Sequence, residues 1–285
     1  MKKKQGQQQK VRRRVERILM FLVILISAIA VALPFFWMVS SSLKTVEEIF
    51  RYPIAWFPSV PQWHNYVEAW NAAPFTRYMI NSLFVATTIM IGQFFTVIPA
   101  AYAFSRLEFF GRDILFLSVL SLMMVKLEVR IIPVYLMVSS LGWIDTYKAL
   151  IIPMMTSPFG IFLVRQAFMK IPQDLIDAAK IDGCSHLGII RNVMIPLSKP
   201  TIITFMIFNF ISHYNSYFYP LIMTNSDRIR TIPIGLARFR VASETGIPWH
   251  YLMAASVIGL VPSVVVFLFS QKYFVKGIAT TGLKG

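Results

Sequence analysis

The 285-residue chain has a single cysteine, Cys184, so no disulfide can close within it. Between a packing and a redox role, the packing role is the simpler account of Cys184. The four histidines (His64, His186, His213 and His250) show neither a zinc-ligand spacing nor a His-Glu-x-x-His pattern, so metal catalysis has no support. No Gly-Lys dipeptide occurs, which excludes the Gly-Lys-Ser/Thr phosphate loop of an ATPase. Charge is also scarce. Charged residues are 14% of the chain against 56% hydrophobic, and the mean hydropathy is +0.61, too little polar side chain to cover a soluble globule. The 28 Lys and Arg outnumber 13 acidic residues, giving a net charge of +15. That excess does not point to nucleic acid, because the basic run Lys2 to Arg17 leads straight into an apolar helix without interleaved aromatics. It reads as an orientation signal that also contacts anionic lipid. No internal repeat or interdomain linker interrupts the sequence, which predicts one domain.

A bilayer-crossing helix needs about 20 apolar residues. Six stretches qualify: roughly Ile18 to Val39, Met79 to Phe104, Ile114 to Ser139, Ala149 to Phe168, Thr201 to Thr224, and Met253 to Phe274. The expectation is therefore an all-α membrane protein with six transmembrane helices. The first stretch exceeds the apolar core of a signal peptide and continues past Ala28 to Ala32, so it reads as a retained span. An even number of spans puts both termini on one side. If that side is the cytoplasm, 18 of the 28 basic residues lie inside and eight outside (Lys44, Arg51, Arg77, Lys148, Arg228, Arg230, Arg238 and Arg240), with Lys126 and Arg130 within span three. The positive-inside rule then places both termini in the cytoplasm.

Between spans four and five lies a polar interruption, residues 170–200. Pro172 can open a helix, where its missing amide would be unpaired anyway, and Gly183 can close one in a left-handed conformation. This predicts one short helix from about Gln173 to Asp182 and a second from a Ser185 cap to about Asn192, stopped by Pro196 and Pro200. The segment resembles the coupling loop of bacterial ABC importer permeases. Their signature, Glu-Ala-Ala, Gly, then Ile-x-Leu-Pro, appears here as Asp177-Ala178-Ala179, Gly183, Val193 and Ile195-Pro196, with each departure keeping charge or apolar bulk. Asn81-Ser82, the run Ala101 to Arg106, Pro133-Val-Tyr-Leu, and the tail from Gln271 to Gly285 are similar as well, so residues 18 to 285 look like a carbohydrate permease of the MalG type.

The resemblance implies a type I ABC importer permease fold in the bacterial plasma membrane. It implies a basic cytoplasmic segment 1–17, a six-span permease domain 18–276 and a cytoplasmic tail 277–285. It also implies a MalF-type partner permease, two ATP-binding subunits, an extracellular or periplasmic solute-binding protein and a sugar substrate. ATP and Mg would be bound by the ATPase subunits, with no cofactor or catalytic residue in this chain. Asp177, Ala178, Ala179, Asp182, Gly183 and Pro196 would form the ATPase-coupling element, with Asp177 as polar anchor, Ala178 and Ala179 allowing close approach, and Leu175, Ile176 and Ile181 filling a groove. The tail is either a further contact with the ATPases or a disordered terminus. A permease for amino acids or peptides, or a sensory partner of an ATPase, are the alternative readings.

Lys126, Glu128 and Arg130 fall near mid-membrane in span three, where charge is expensive and rarely faces lipid. They are either a net-positive wall of the translocation path or a set paired among themselves or with the partner permease. Span five carries Asn209, Ser212, His213 and Ser216 on one face with Tyr214, Asn215 and Tyr217 beside it. These groups suit sugar recognition and suit helix packing equally well. His213 taken alone reads as an interhelical partner before a proton relay. Asn209, His213, Ser216 and Tyr217 join the three charges as candidate path residues. The outer segments 40–78, with Trp56, Trp63, His64 and Trp70, and 225–251, with four arginines, are candidate docking surfaces or an aromatic belt and solvated loop. If the charges do line the path for an anionic substrate, the double substitution Lys126→Gln, Arg130→Gln abolishes uptake of acidic sugars; retained uptake in a transport assay assigns them to packing.

Overall fold

The computed structural model describes the backbone of residues 2–243 and 249–281 and the side chains of residues 13–14, 16–239 and 249–271. The first basic side chains, Arg240 and the tail residues from Lys272 onward, all named above, lie outside the described side chains. Among the described residues the fold is entirely helical. The elements are α1 Lys2–Ser42, α2 Val46–Phe50, α3 His64–Asn71, α4 Phe75–Arg106, α5 Arg112–Met124, α6 Leu127–Ser140, α7 Tyr147–Ile151, α8 Pro158–Met169, α9 Gln173–Ile181, α10 His186–Ile189, α11 Ile195–Leu197, α12 Lys199–Tyr214, α13 Phe218–Met223, α14 Ile232–Ser243 and α15 Trp249–Thr281. Contacts divide the chain into two compact units, residues 1–72 with 239–258, and residues 73–238 with 259–285.

The first unit is organised around Lys44. This lysine is fully buried, donates from Nζ to Ala55 O at 2.6 Å, and sits 4.3 Å above the Trp37 ring, so its charge meets a carbonyl and a π face in place of water. Burial pulls its pKa below the usual lysine range against the raising effect of Glu48. Asn65 Nδ2 donates to Ser42 O and Lys44 O at 2.9 and 3.0 Å, fixing the turn that follows α1. Trp56 and Trp63 remain substantially exposed.

In the second unit α4 is the central element, packed on α8 and α12. Val97, Ile98, Ala101 and Tyr102 of α4 meet Ile161, Val164 and Phe168 of α8 and Ile202 and Phe205 of α12. Gly160 lets α8 approach closely: a Cβ there would lie 2.4 Å from the Phe205 ring. A second cluster joins Val85 and Ile89 to Leu150, Tyr219 and Met223.

The six apolar stretches map onto helices, but three of them are not single helices. Span three is α5 and α6, separated where Lys126 is extended (φ −61°, ψ 152°). Span four is α7, a 3-10 turn over Ile152–Met154, and α8 with a Ser157 cap. Span five is α12 and α13, broken at Asn215 to Tyr217. Among the described residues four helical segments suffice by length and composition to cross a membrane (Glu16–Ser42, Phe75–Arg106, Tyr147–Met169 and Trp249–Gln271), and a fifth if His186–Leu197 and Lys199–Tyr214, bent by 85°, act together. The sequence conceals the breaks in spans four and five because an apolar run reads alike whether its helix is continuous or not.

Gly160→Ala should destabilise the protein by about 1–3 kcal/mol through overpacking against Phe205. Gly188→Ala should change little, because its new methyl meets nothing nearer than 3.5 Å. Unfolding in mixed detergent micelles compares the two.

Candidate functional site

Three places concentrate polar chemistry in the second unit: an elbow over residues 172–198, a cavity beside α4, and a cluster that holds the segment after α13.

The elbow begins where Pro172 caps α9 in an extended conformation. It turns at Gly183 (φ +78°), where Gly183 N donates to Lys180 O at 3.0 Å and Cys184 N to Ala179 O at 2.9 Å, the paired bonds of a Schellman closure. Cys184 is half-buried against the same core as Ala179, the apolar contact that accompanies such a closure. Ser185 then caps α10, its Oγ accepting from Gly188 N at 3.3 Å. The helix does not stop at Asn192. It widens into a π-helical turn over Ile190–Met194, in which Ile195 N reaches back to Ile190 O, and runs through Pro196 to Leu197. The wider turn accommodates the prolyl ring, which in an unbroken α-helix would crowd the carbonyl four residues back. The chain bends only at Ser198.

The elbow is tied to α4 from within. Arg106 Nη1 donates to Gln173 Oε1 at 2.9 Å, and Arg106 Nη2 to Phe168 O at 2.6 Å and to Ile171 O. Gln173 Nε2 in turn donates to Asp177 Oδ1 at 3.0 Å, and Lys180 Nζ lies 3.2 Å from the same oxygen. The Gln173 amide, followed by the Lys180 ammonium, holds the Asp177 carboxyl below the usual carboxylate range. Tyr102 Oη pairs with His186 Nδ1 at 3.0 Å on the other arm.

Not every residue expected on the outward face is there. Ile176 and Ala179 are buried in the chain's own core, because in α9 they fall on the side packed into the cluster that holds Tyr102, Phe168 and Ile189, so neither is available to a partner's groove. Asp177, Ala178, Asp182, Gly183 and Pro196 are exposed, as are Leu175 and Ile181.

The cavity encloses about 500 Å³ between α4, the end of the 3-10 turn, the start of α8, and α12. From α12 come Phe205, Phe208, Asn209, Ser212 and His213, residues that share one helical face. Gln93 of α4 is the residue that the sequence reading missed. It is 2% exposed and donates from Nε2 to Met154 O at 2.6 Å, while Asn209 Nδ2 donates to Gln93 Oε1 and His213 Nε2 lies 3.3 Å from Gln93 Nε2. Thr96 Oγ1 donates to Met155 O at 2.6 Å. The carbonyls freed by the break in span four are thus answered from α4, as an apolar surrounding requires. Two signals pointed to Gln93: a carboxamide in the middle of an apolar span, and Pro153 and Pro158 in the span it faces. The network leaves one buried acceptor, Asn209 Oδ1, without a partner, at an expected cost of about 1–3 kcal/mol.

Of the expected path residues, the cavity brings together Asn209 and His213. Ser216 and Tyr217 lie beyond the end of α12 and do not line it. Lys126 caps α6, Lys126 and Glu128 are exposed, and Arg130 is half-buried with Nε unpartnered. Among the described residues these three form no ion pair with one another, so pairing among themselves is not what holds them.

A third polar cluster organises the segment after α13. Asn81 Nδ2 donates to Arg228 O and Arg230 O at 3.0 and 2.8 Å, Ser82 Oγ accepts from Ile232 N at 2.8 Å, and Tyr78 Oη donates to Asp227 Oδ1 at 2.9 Å. Arg230 and Arg238 pair with Asp227 at 2.7 and 3.0 Å. Burial alone would raise the Asp227 carboxyl; the Tyr78, Arg230 and Arg238 bonds outweigh it and hold the carboxyl low. Two of the four arginines of the 225–251 segment are therefore partly committed within the chain, and Arg228 is exposed.

The sequence from residue 7 to 280 matches the family described as binding-protein-dependent transport system inner membrane component. Among curated proteins it is 36% identical to the probable ABC transporter permease protein YurM of Bacillus subtilis (strain 168), over 90% of this chain and 85% of that one. It is 33% identical to the arabinooligosaccharides transport system permease protein AraQ of the same organism, over 95% and 97%. Its fold is similar to a chain in the crystal structure of a bacterial ABC transporter involved in the import of the acidic polysaccharide alginate, with a TM-score of 0.80, 23% identity and coverage of 92% and 97%.

Replacing Arg106 with leucine removes a charged donor from three acceptors and should cost about 1.5–3 kcal/mol. Hydrogen exchange at the amides of residues 173–184 should accelerate, with Arg106→Lys intermediate because an ammonium lacks the planar fork.

Proposed function

The chain belongs to the family of binding-protein-dependent transport system inner membrane components, and from that premise we propose that it is one half of a heterodimeric pore that imports sugars or oligosaccharides. As a member it is a membrane transport component, and ATP hydrolysis belongs to separate subunits. The carbohydrate reading is supported by the tail and span-five pattern of the sequence and by the similarity to AraQ, whose name specifies arabinooligosaccharides. The partners of this reading are a MalF-type permease, two ATP-binding subunits and an external solute-binding protein.

The observation that carries the coupling role is the two-sidedness of the elbow. Its inner side (Ile176, Ala179, Ile189 and Met194) is buried in the core, and its outer side presents Leu175, Asp177, Ala178, Ile181, Asp182 and Leu187. Leu187 is 73% and Ile181 87% exposed, an expensive arrangement in water that a groove on an ATPase would relieve. Asp177, set by Gln173 and Lys180, is the polar anchor. Gly183 supplies the turn, and Pro196 lies at the far arm.

In this reading the chain is a single six-span permease domain whose third and fifth spans are the broken pairs α5–α6 and α12–α13. Both termini face the cytoplasm, on the count of basic residues. Alternating access follows: ATP binding draws the elbows together, the helices tilt, and the path opens outward. Lys126, Glu128 and Arg130 at the α5–α6 break, and Asn209, His213, Ser216 and Tyr217 along span five, are its proposed wall.

The test is sugar-stimulated ATP hydrolysis and uptake by the complex reconstituted with its binding protein. Gly183→Pro demands a negative φ where the turn needs +78° and deletes the amide bonded to Lys180 O. It should leave the protein inserted while severing uptake from hydrolysis; wild-type uptake by this variant would falsify the coupling role.

A further inference from the structure

Resting on the coupling role proposed above, we propose that Tyr102 and Arg106 are positioning residues for transport, a two-point clamp through which the elbow carries α4.

The chain itself joins the elbow to two of the three core helices. α8 runs into α9 through Lys170 to Pro172, and α11 runs into α12 at Ser198. The third, α4, has no such link, because the chain leaves its end at Leu107 for α5. Side chains alone hold α4 to the elbow. Ala101 and Tyr102 share a core cluster with Ile176, Ala179 and Ile189, but apolar burial is non-directional and leaves packed surfaces free to slide. Hydrogen bonds fix direction as well as distance.

Tyr102 and Arg106 stand one turn apart on α4 and project from one face. Each takes a different arm of the elbow. Tyr102 Oη pairs with His186 Nδ1 at 3.0 Å at the start of α10, and Arg106 Nη1 donates to Gln173 Oε1 at 2.9 Å at the start of α9. The two grips lie on opposite sides of the Gly183 turn and about 6 Å apart along α4. The elbow therefore cannot swivel about one without breaking the other. Arg106 Nη2 also takes the Phe168 and Ile171 carbonyls, so α4, the end of α8 and the start of α9 meet at one guanidinium. From there Gln173 Nε2 donates at 3.0 Å to Asp177 Oδ1, which extends the first grip to the outer face of the elbow.

The other end of the load is the path. About 15 to 20 Å back along α4, Thr96 and Gln93 hold Met155 O and Met154 O at the break in span four, and Gln93 lines the cavity opposite Asn209 and His213 of α12. A push on the elbow reaches α8 and α12 through the chain, and the clamp makes α4 move with them. Without it, α12 moves against a stationary α4, and ATP is hydrolysed without opening the path.

The experiment uses the whole complex in lipid vesicles with its binding protein, and neutral and uronic-acid disaccharides and trisaccharides as transported probes. Tyr102→Phe deletes one hydroxyl and leaves the exposed His186 to water. Arg106→Lys keeps the charge and gives up the planar fork. Each should lower the sugar imported per ATP hydrolysed by about two- to tenfold, the weight of one hydrogen bond. Co-purification of the ATPase subunits and hydrolysis without sugar should stay unchanged. His186→Ala should act as Tyr102→Phe does, and the two together should do no more than either, since both delete the same bond. Wild-type yield of sugar per ATP in both Tyr102→Phe and Arg106→Lys overturns the clamp and leaves the elbow's coupling role standing. Additive losses from Tyr102→Phe and His186→Ala overturn it too, as does a matching loss of assembly or of sugar-free hydrolysis, which makes the contacts structural. A wild-type complex that neither imports nor responds to any probe removes the transport reading and the clamp with it.

Discussion

The constraint on which the second unit depends is that a backbone carbonyl or amide freed inside an apolar layer must find a partner in the protein. One helix, α4, supplies several of those partners. Along its length Asn81 answers two carbonyls of the segment after α13, Ser82 an amide, Gln93 and Thr96 the carbonyls at the break in span four, and Arg106 the carbonyls that end α8. Its apolar face meanwhile fills the core against α8 and α12. A helix 32 residues long thus serves as a spine whose polar side chains each stabilise an irregularity elsewhere in the chain. The irregularities themselves are the elbow, the cavity wall and the anchored outer segment.

That division explains what could be read from the sequence and what could not. The elbow was legible because each of its signals acts through its own backbone. Pro172 needs an orphan amide position, Gly183 a positive φ, and Ser185 a neighbouring N–H three residues on, and all three appear where the spacing put them. Pro196 misled for the converse reason. A proline excludes an ordinary helical turn, but it does not exclude a widened one, and whether the chain stops or widens is decided by the burial of Ile190 and Met194 in the core. The breaks in spans four and five were likewise hidden, because hydropathy counts side chains and is blind to which carbonyls are left open, whereas the two-residue spacing of Lys126, Glu128 and Arg130 suits an irregular segment before Pro133 as well as a helix.

The cavity was legible only in part. Asn209, Ser212 and His213 announced themselves by helical spacing, whereas Ser216 and Tyr217 continued the pattern on paper past the point where α12 ends. Gln93 was overlooked because nothing in its own span gives it meaning, which comes from Met154 O, 61 positions away in the chain. The Asn81-Ser82 pair, at first a point of family likeness, has a physical role as well, since it holds the chain between Arg228 and Ile232 against the start of α4.

The bend at Ser198 has a mechanical consequence. The elbow's second arm and α12 meet there at 85° with only one residue between them, so the two arms form a bell crank pivoting beside Ser198. At 1.5 Å per residue the 16 residues of α12 make a lever about 24 Å long, and a rotation of about 5° would sweep its far end, beside His213, by about 2 Å and Asn209, about 15 Å along it, by about 1.3 Å. A displacement of that size is enough to make or lose a hydrogen bond, so a small push on the outer edge of the elbow arrives at the cavity as a change in which groups are in register.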